Sequence, residues 1–240
     1  MKPETRKETE PRQLFGRRQT RSLSASKQSV FDEALARLQI PQELLNRGNL
    51  KAVDVFGKPF EKFWFEIGFG NGEHVKNEAL AHPDTAFIGA EPFINGMAAL
   101  LNSIRDQDDS NIRVYMDDAM AVVNALADDV LDGIYILNPD PWPKKRHWKR
   151  RIVQAEHVER FVRVLKPGGQ LIMTTDIDDL AEWMCTHAAN NPDLRMTANS
   201  PQDWQTPPPG WIPTRYESKG VAKGRRQTYL VFEKVGRLMA

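Results

Sequence analysis

From Phe63 to Ala189 short apolar runs alternate with helical segments, and this rhythm constrains the fold more than any other feature of the chain. FWFEIGF (63–69), AFIGAE (86–91), IRVYMDD (112–118), LDGIYIL (131–137) and QLIMTTD (170–176) read as strands. GEHVKNEALAHP (72–83), FINGMAALLNSI (93–104), AMAVVNALA (119–127), RIVQAEHVERFVRVL (151–165) and DDLAEWMCTHAA (178–189) read as helices, with KPGG (166–169) ending the fourth. Strands that each need a crossover before the next run parallel, in a sheet that must be covered on both faces. RRQTYLVFEKV, near the C-terminus, alternates well enough for one more strand. The expected class is therefore α/β, with a mostly parallel central sheet, helices on both faces and an antiparallel C-terminal strand. Residues 190–213 contain six prolines and read as a long ordered loop. Residues 1–30 read as a flexible basic arm, with a short helix from Ser29 leading into a single domain over 31–240.

The first strand runs into EIGFGNGE (66–73). Glycines at 68, 70 and 72 allow a tight turn and let a ligand approach the main chain. The spacing is G-x-G-x-G, not the G-x-G-x-x-G of dinucleotide sites. Glu66, just ahead of the glycines, would repel a pyrophosphate but suits an ammonium and a sulfonium. Glu91 ends the second strand, where an acid can accept hydrogen bonds from both ribose hydroxyls. Asp117 and Asp118 end the third, where a carboxylate beside free amides suits an adenine amino group. Acids at such places also serve as helix N-caps. Together, the turn and the acids at consecutive strand ends point to S-adenosylmethionine.

The fourth strand ends in NPDPWPKKRHWKRR (138–151). Pro139 and Pro141 fix their own φ and predict extended conformations for Asn138 and Asp140. The loop would hold the Asp140 carboxylate at little entropic cost and present Trp142 as a flat face for a base. The six Lys and Arg of 144–151 then suit phosphates. Charge is distributed in blocks: +5 over residues 1–30, +6 over 144–151 and +5 over 214–237, which leaves −15 on the remainder for a net +1. Three basic blocks on an acidic body point to a polyanionic partner.

Other classes are disfavoured. No apolar run approaches the roughly 20 residues of a membrane helix, and MKPETRKETEPRQ lacks the apolar centre of a signal peptide. One cysteine, Cys185, rules out an intrachain disulfide and a multi-cysteine zinc site, and the five histidines have no metal-ligand spacing. A reducing cytoplasm is the expected compartment.

NPDPWPKKRHWKRR resembles the signature of bacterial tRNA (guanine-N7)-methyltransferases. EIGFGNGE, the Glu91 strand end, Asp118, TTD (174–176) and TRYESKG (214–220) are similar to further blocks of that family in the same order, over roughly residues 55–235. The resemblance implies a Rossmann-like class I methyltransferase fold and methylation of N7 of the variable-loop guanosine in tRNA. It implies S-adenosylmethionine as methyl donor and does not imply an obligate protein partner; no metal and no membrane are expected from the histidine spacing and the apolar runs. Carried over residue by residue, the resemblance places cofactor contacts on Glu66, Glu91, Asp118 and Asp140, with Asp140 the catalytic aspartate; the glycine turn adds Gly68 and Gly70 as expected cofactor contacts. Substrate contacts fall on Lys144, Asp176, Thr214, Arg215, Tyr216 and Glu217. RNA contacts fall on Arg146, His147, Trp148, Lys149, Arg150 and Arg151, and neutralising Arg150 and Arg151 should weaken RNA binding. Asn138 departs from the aromatic common in the family, an expected change in packing only.

Three rivals are open. An amino-group methyltransferase acting on adenine or cytosine uses an Asn/Asp-Pro-Pro-aromatic loop at the same strand end. A non-catalytic RNA-binding protein could keep the fold as a relic. A nicotinamide dehydrogenase is opposed by the glycine spacing and by Glu66.

Overall fold

The computed structural model describes residue 15, residues 18–20 and residues 22–236. Seven strands form one sheet: β1 (Lys62–Ile67), β2 (Thr85–Ala90), β3 (Ile112–Tyr115), β4 (Leu131–Leu137), β5 (Leu165–Thr175), β6 (Leu194–Met196) and β7 (Thr228–Lys234). Their spatial order is β3-β2-β1-β4-β5-β7-β6. β1 to β5 pair in parallel, and β7 runs antiparallel to β5 and β6. The order reverses between β1 and β4, which opens a crevice at their carboxyl ends.

Nine helices accompany the sheet among the described residues: α1 (Ala25–Leu38), α2 (Gln42–Arg47), α3 (Ala52–Phe56), α4 (Glu73–Ala81), α5 (Ile94–Ser103), α6 (Ala119–Ala125), α7 (Ala155–Val164), α8 (Asp178–Ala189) and α9 (Arg215–Val221). Period-two alternation along the strands divides the core. Phe63, Phe65 and Ile67 of β1 join Ile134, Ile136, Leu171 and Met173 under α6, α7 and α8. α1, α4 and α5 cover the opposite face through Leu38, Val75, Met97 and Leu100, but only over β1 to β3. Beyond them Tyr135, Leu137 and Ile172 pack under Trp211, a residue of the proline-rich segment. α7 buries Val158, Phe161 and Val162, each such side chain contributing about 1.5–3 kcal/mol.

The structure departs from the sequence expectations at several points. α1 starts at Ala25, ahead of Ser29. Residues 1–14, 16, 17 and 21 of the expected arm lie outside the described residues. α7 starts at Ala155 and not at Arg151, because the chain before it is tied down elsewhere: the Trp183 indole donates to Val153 O at 2.7 Å and the Gln154 amide to Trp148 O at 2.7 Å. KPGG lies inside β5, where pairing with β4 shifts between Leu131–Leu165 and Gly133–Gln170. The long loop contains an edge strand, β6, and a short 3₁₀ turn over Asp203–Gln205.

Candidate active site

Two cavities compete for attention. The larger, about 640 Å³, lies on the sheet face under Trp211 and the proline segment, with Lys62 and Thr85 at the starts of their strands. The smaller, about 310 Å³, lies at the switch point and is lined by Gly68, Gly70, Glu91, Asp118, Asn138, Asp140, Trp142 and Arg150. Size favours the first. Chemistry favours the second, because the strand-end acids and the glycine turn converge there.

The turn is built for close approach. Gly68, Gly70 and Gly72 all have positive φ, at 72°, 59° and 77°. A Cβ added to Gly68 or Gly70 would meet nothing within 4 Å, so both face open space. From behind, Gly96 of α5 presses so tightly that its Cβ would stand 2.2 Å from Gly70 O. The turn is thus rigid on one side and open on the other.

Glu91 is 8% exposed and fixed by two main-chain donors. Gly70 N donates to Oε2 at 2.8 Å and Phe93 N to Oε1 at 3.0 Å. Burial raises its pKa, the two amide bonds oppose the rise, and the charges of Asp140 and Glu66 add to it. Asp118 is the N-cap of α6, with Oδ1 accepting from Met120 N at 3.0 Å, and it lines the crevice as well. The capping and crevice-lining readings of this residue therefore hold together.

Asp140 sits at the crevice mouth. Its surface is open to solvent, yet the concave wall surrounding it removes enough water to raise the carboxyl above its ordinary value. The loop on which it rides is stiff in an unexpected way. Asn138 and Trp142, each preceding a proline, have φ of 49° and 43°, not the extended values anticipated for Asn138. Such values in non-glycine residues cost energy and persist only where neighbours hold them. Asn138 is held by its N–H donating to Thr174 O at 2.9 Å and by its Oδ1 accepting from Gln227 Nε2 at 2.8 Å. Its Nδ2 is buried without a hydrogen-bond partner, and the residue lines the crevice.

The basic run divides. Lys144, Arg146 and Lys149 are exposed, and His147 stands edge-on to Trp142 at 5.8 Å. Arg150 turns inward, its guanidinium 5.0 Å over the Trp142 ring and 4.3 Å over the Phe15 ring. Trp148 packs against Trp183 at 5.3 Å, half-buried. Arg151 corrects the expectation outright: it is 1% exposed and cannot reach RNA. Its Nε donates to Pro141 O at 2.9 Å, its Nη2 bonds Asp179, and its guanidinium lies between the Trp148 and Trp183 rings at 5.0 and 4.9 Å. It anchors the Asp140 loop from below.

Two more expected site residues point elsewhere. Glu66 is 2% exposed, and its Oε2 bonds His74 Nδ1 at 2.9 Å. Alternation puts it on the face of β1 opposite Phe65 and Ile67, away from the crevice wall. Burial alone would lower the His74 pKa, but the Glu66 charge and hydrogen bond outweigh it and raise it. Glu217 is 4% exposed; its carboxylate accepts from the Trp211 indole at 3.1 Å and from the Tyr229 hydroxyl. It ties α9 to β7. Thr214 is the N-cap of α9, accepting from Glu217 N at 3.0 Å, while Arg215 and Tyr216 are exposed. Asp176 faces Arg225, whose Nη1 is 2.5 Å from Oδ2. Sequence reading missed Arg151 and Arg225 as organisers because both looked like ordinary members of charge runs.

Among the described residues no cluster of three His, Cys, Asp or Glu could hold a metal ion, and no helix is long and apolar enough to cross a membrane. A family model described as "Putative methyltransferase" matches residues 61–230. The chain is 41% identical over 222 residues to the tRNA (guanine-N(7)-)-methyltransferase of Chelativorans sp., covering 92% of this chain and 95% of that protein. It is 42% identical over 219 residues to the enzyme of the same name from Agrobacterium fabrum, covering 91% and 94%. Among solved structures, the aminoglycoside resistance methyltransferase NpmB1 aligns at TM-score 0.52 and 18% identity, over 82% of this chain and 95% of that one. An rRNA methylase from Streptococcus thermophilus aligns at 0.51 and 11%, over 81% and 93%. These two share the fold. The extent and identity of the sequence matches, on a crevice with this glycine turn and these acids, settle the relationship: the chain belongs to the tRNA (guanine-N7-)-methyltransferase family.

Proposed function

We propose that this chain transfers the methyl group of S-adenosylmethionine to N7 of the variable-loop guanosine of tRNA. The observation that carries the reading is the switch-point crevice, where Glu91, Asp118 and Asp140 stand at consecutive strand ends around a glycine turn whose open side is clear of protein. The donor set fits the cofactor. Gly68 and Gly70 let an amino-acid moiety lie against main chain. Glu91, already fixed by two amides, keeps lone pairs for ribose hydroxyls. Asp118 and the start of α6 suit the adenine edge. Glu66 acts from behind the turn through its charge and not by contact.

When bound, S-adenosylmethionine would supply an electrophilic methyl carbon: the guanine N7 lone pair would form the N–C bond and the C–S bonding pair would stay on sulfur. N7 carries no proton, so the residues need not remove one there. They align the base and tolerate the positive charge that moves onto it. Asp140, at the crevice mouth, is suited to both tasks. Asp176 is suited to accept from guanine N1–H and N2–H₂. A tRNA substrate would place the protein in the cytoplasm.

Labelled S-adenosylmethionine and unmodified tRNA, followed by nucleoside analysis, test this directly. 7-Methylguanosine is expected; methylated adenine or cytosine would move the protein to the amino-group class, and no product would support a non-catalytic RNA-binding role.

The exposed cations give a separate expectation. Replacing Arg146 and Lys149 together by glutamine should lower the slope of log affinity against log salt by about 1 to 2. Arg151→Met should leave that slope unchanged and lower stability by on the order of 2 kcal/mol, because it removes a buried anchor and not a phosphate contact. Salt titrations and urea unfolding of the two variants read the difference; the same slope change in both would contradict the division.

A further inference from the structure

Asp176 directly follows β5 with a side chain only 3% exposed, and the single cation against it is Arg225, among the described residues. The contact is odd. Arg225 Nη1 lies 2.5 Å from Asp176 Oδ2, yet Oδ2 has no aligned hydrogen-bond donor. Its charge is compensated while its directional bonding is not. The Tyr216 hydroxyl is 3.5 Å from Oδ1, at the limit of a hydrogen bond. Arg225 in turn donates to the Tyr216 hydroxyl at 3.2 Å and lies 5.2 Å over its ring. Its backbone is pinned, with N–H donating to Gly220 O at 3.0 Å at the end of α9, while its side chain remains 39% exposed.

A guanidinium is chemically the N–C–N donor edge of guanine. Both present parallel N–H groups that match a carboxylate. We propose that Arg225 is an internal stand-in for the guanine: its guanidinium occupies Asp176 while no base is bound, and the base displaces it. The proposal rests on the reading of Asp176 as the acceptor for guanine N1–H and N2–H₂. The stand-in is poorly aligned, so guanine can replace it with better hydrogen bonds. Departure also suits the chemistry. A cation beside Asp176 would oppose the positive charge that methylation puts on the purine, whereas the freed carboxylate stabilises it. Tyr216, whose ring Arg225 covers, is uncovered by the same movement.

Occupancy of a site by an internal competitor weakens the true ligand by the fraction of time the site is open. Removing the competitor should therefore create a site for a small mimic. With Arg225→Ala, millimolar guanidinium chloride should raise KM for tRNA roughly fivefold with kcat unchanged, while the same concentration leaves the wild type and Arg225→Lys unaffected. Sodium chloride at matched ionic strength controls for screening, and thermal melting in each solution controls for folding. Equal sensitivity of wild type and Arg225→Ala, or a fall in kcat in place of a rise in KM, overturns the proposal. Asp176→Asn separates the two ideas. If it keeps full turnover, the reading of Asp176 falls; if it loses turnover while Arg225→Ala is insensitive to guanidinium, only the stand-in falls.

Discussion

Asp140→Asn should lower turnover by at least roughly a hundredfold while tRNA affinity changes by no more than about twofold, since loss of one well-placed electrostatic group costs about that in kcat. The substitution keeps shape and removes charge. Its effect should be large because the chain invests strain in placing this carboxylate: two non-glycine residues with positive φ flank it, Asn138 and Trp142. Arg151 holds the Pro141 carbonyl between them, and the main chain of Asn138 is bonded to β5. A group so fixed loses little on reorganisation as charge moves onto the base. Arg146 and Lys149, the cations proposed to meet phosphates, are exposed and untouched by this change, so RNA binding should be spared. The ionised form is the useful one, and the surroundings raise the Asp140 pKa. The rate should thus fall on acidification at a higher pH than an ordinary aspartate would give. Single-turnover rates and filter binding for both proteins decide the matter; an unchanged rate would remove Asp140 from the chemistry.

The core of the fold was legible because buried parallel strands are unbroken apolar runs and the helices between them carry an apolar stripe. α7 illustrates the limit. Ile152 and Val153 continue its apolar pattern, yet they lie in an extended link because Arg151 and Val153 are bonded to other elements. Periodicity cannot see such tertiary ties. β6 is three residues long, and α9 has no apolar stripe to announce it. Within the site, Glu91, Asp118 and the glycines stand where strand-end reasoning put them, because open sheets place strand ends at one edge. Glu66 does not, and here a signal was available: in FWFEIGF it alternates with Phe65 and Ile67 and must face the other side. Arg151 and Glu217 were out of reach. Each is a charged residue in a charged run, and only the three-dimensional neighbours, Trp148, Trp183 and Asp179 for one and Trp211 and Tyr229 for the other, make it a buried anchor.

Glu91→Ala should weaken S-adenosylmethionine binding on the order of a hundredfold or more, because hydrogen bonds to a charged group are worth about 1.5–3 kcal/mol each and two ribose hydroxyls would lose their acceptor. The structure adds a second source of loss. The same carboxylate bonds Gly70 N and Phe93 N, so it ties the glycine turn to the start of α5. Without it both amides lose their partner, and the turn loses one of the two supports that keep its open side in shape, the other being Gly96 behind it. Glu91→Gln distinguishes the two sources. An amide oxygen can still accept from one main-chain donor, but its NH₂ would face the other N–H, so the turn is half-supported and the charge is gone. Affinity should fall in the order wild type, Gln, Ala when measured by calorimetry. tRNA binding measured without cofactor should be the same in all three, since the bonds of Glu91 run to Gly70 N and Phe93 N and not to the cations of the basic run. Equal cofactor affinity in wild type and Ala would mean that Glu91 only braces the turn and that the ribose is held by other groups.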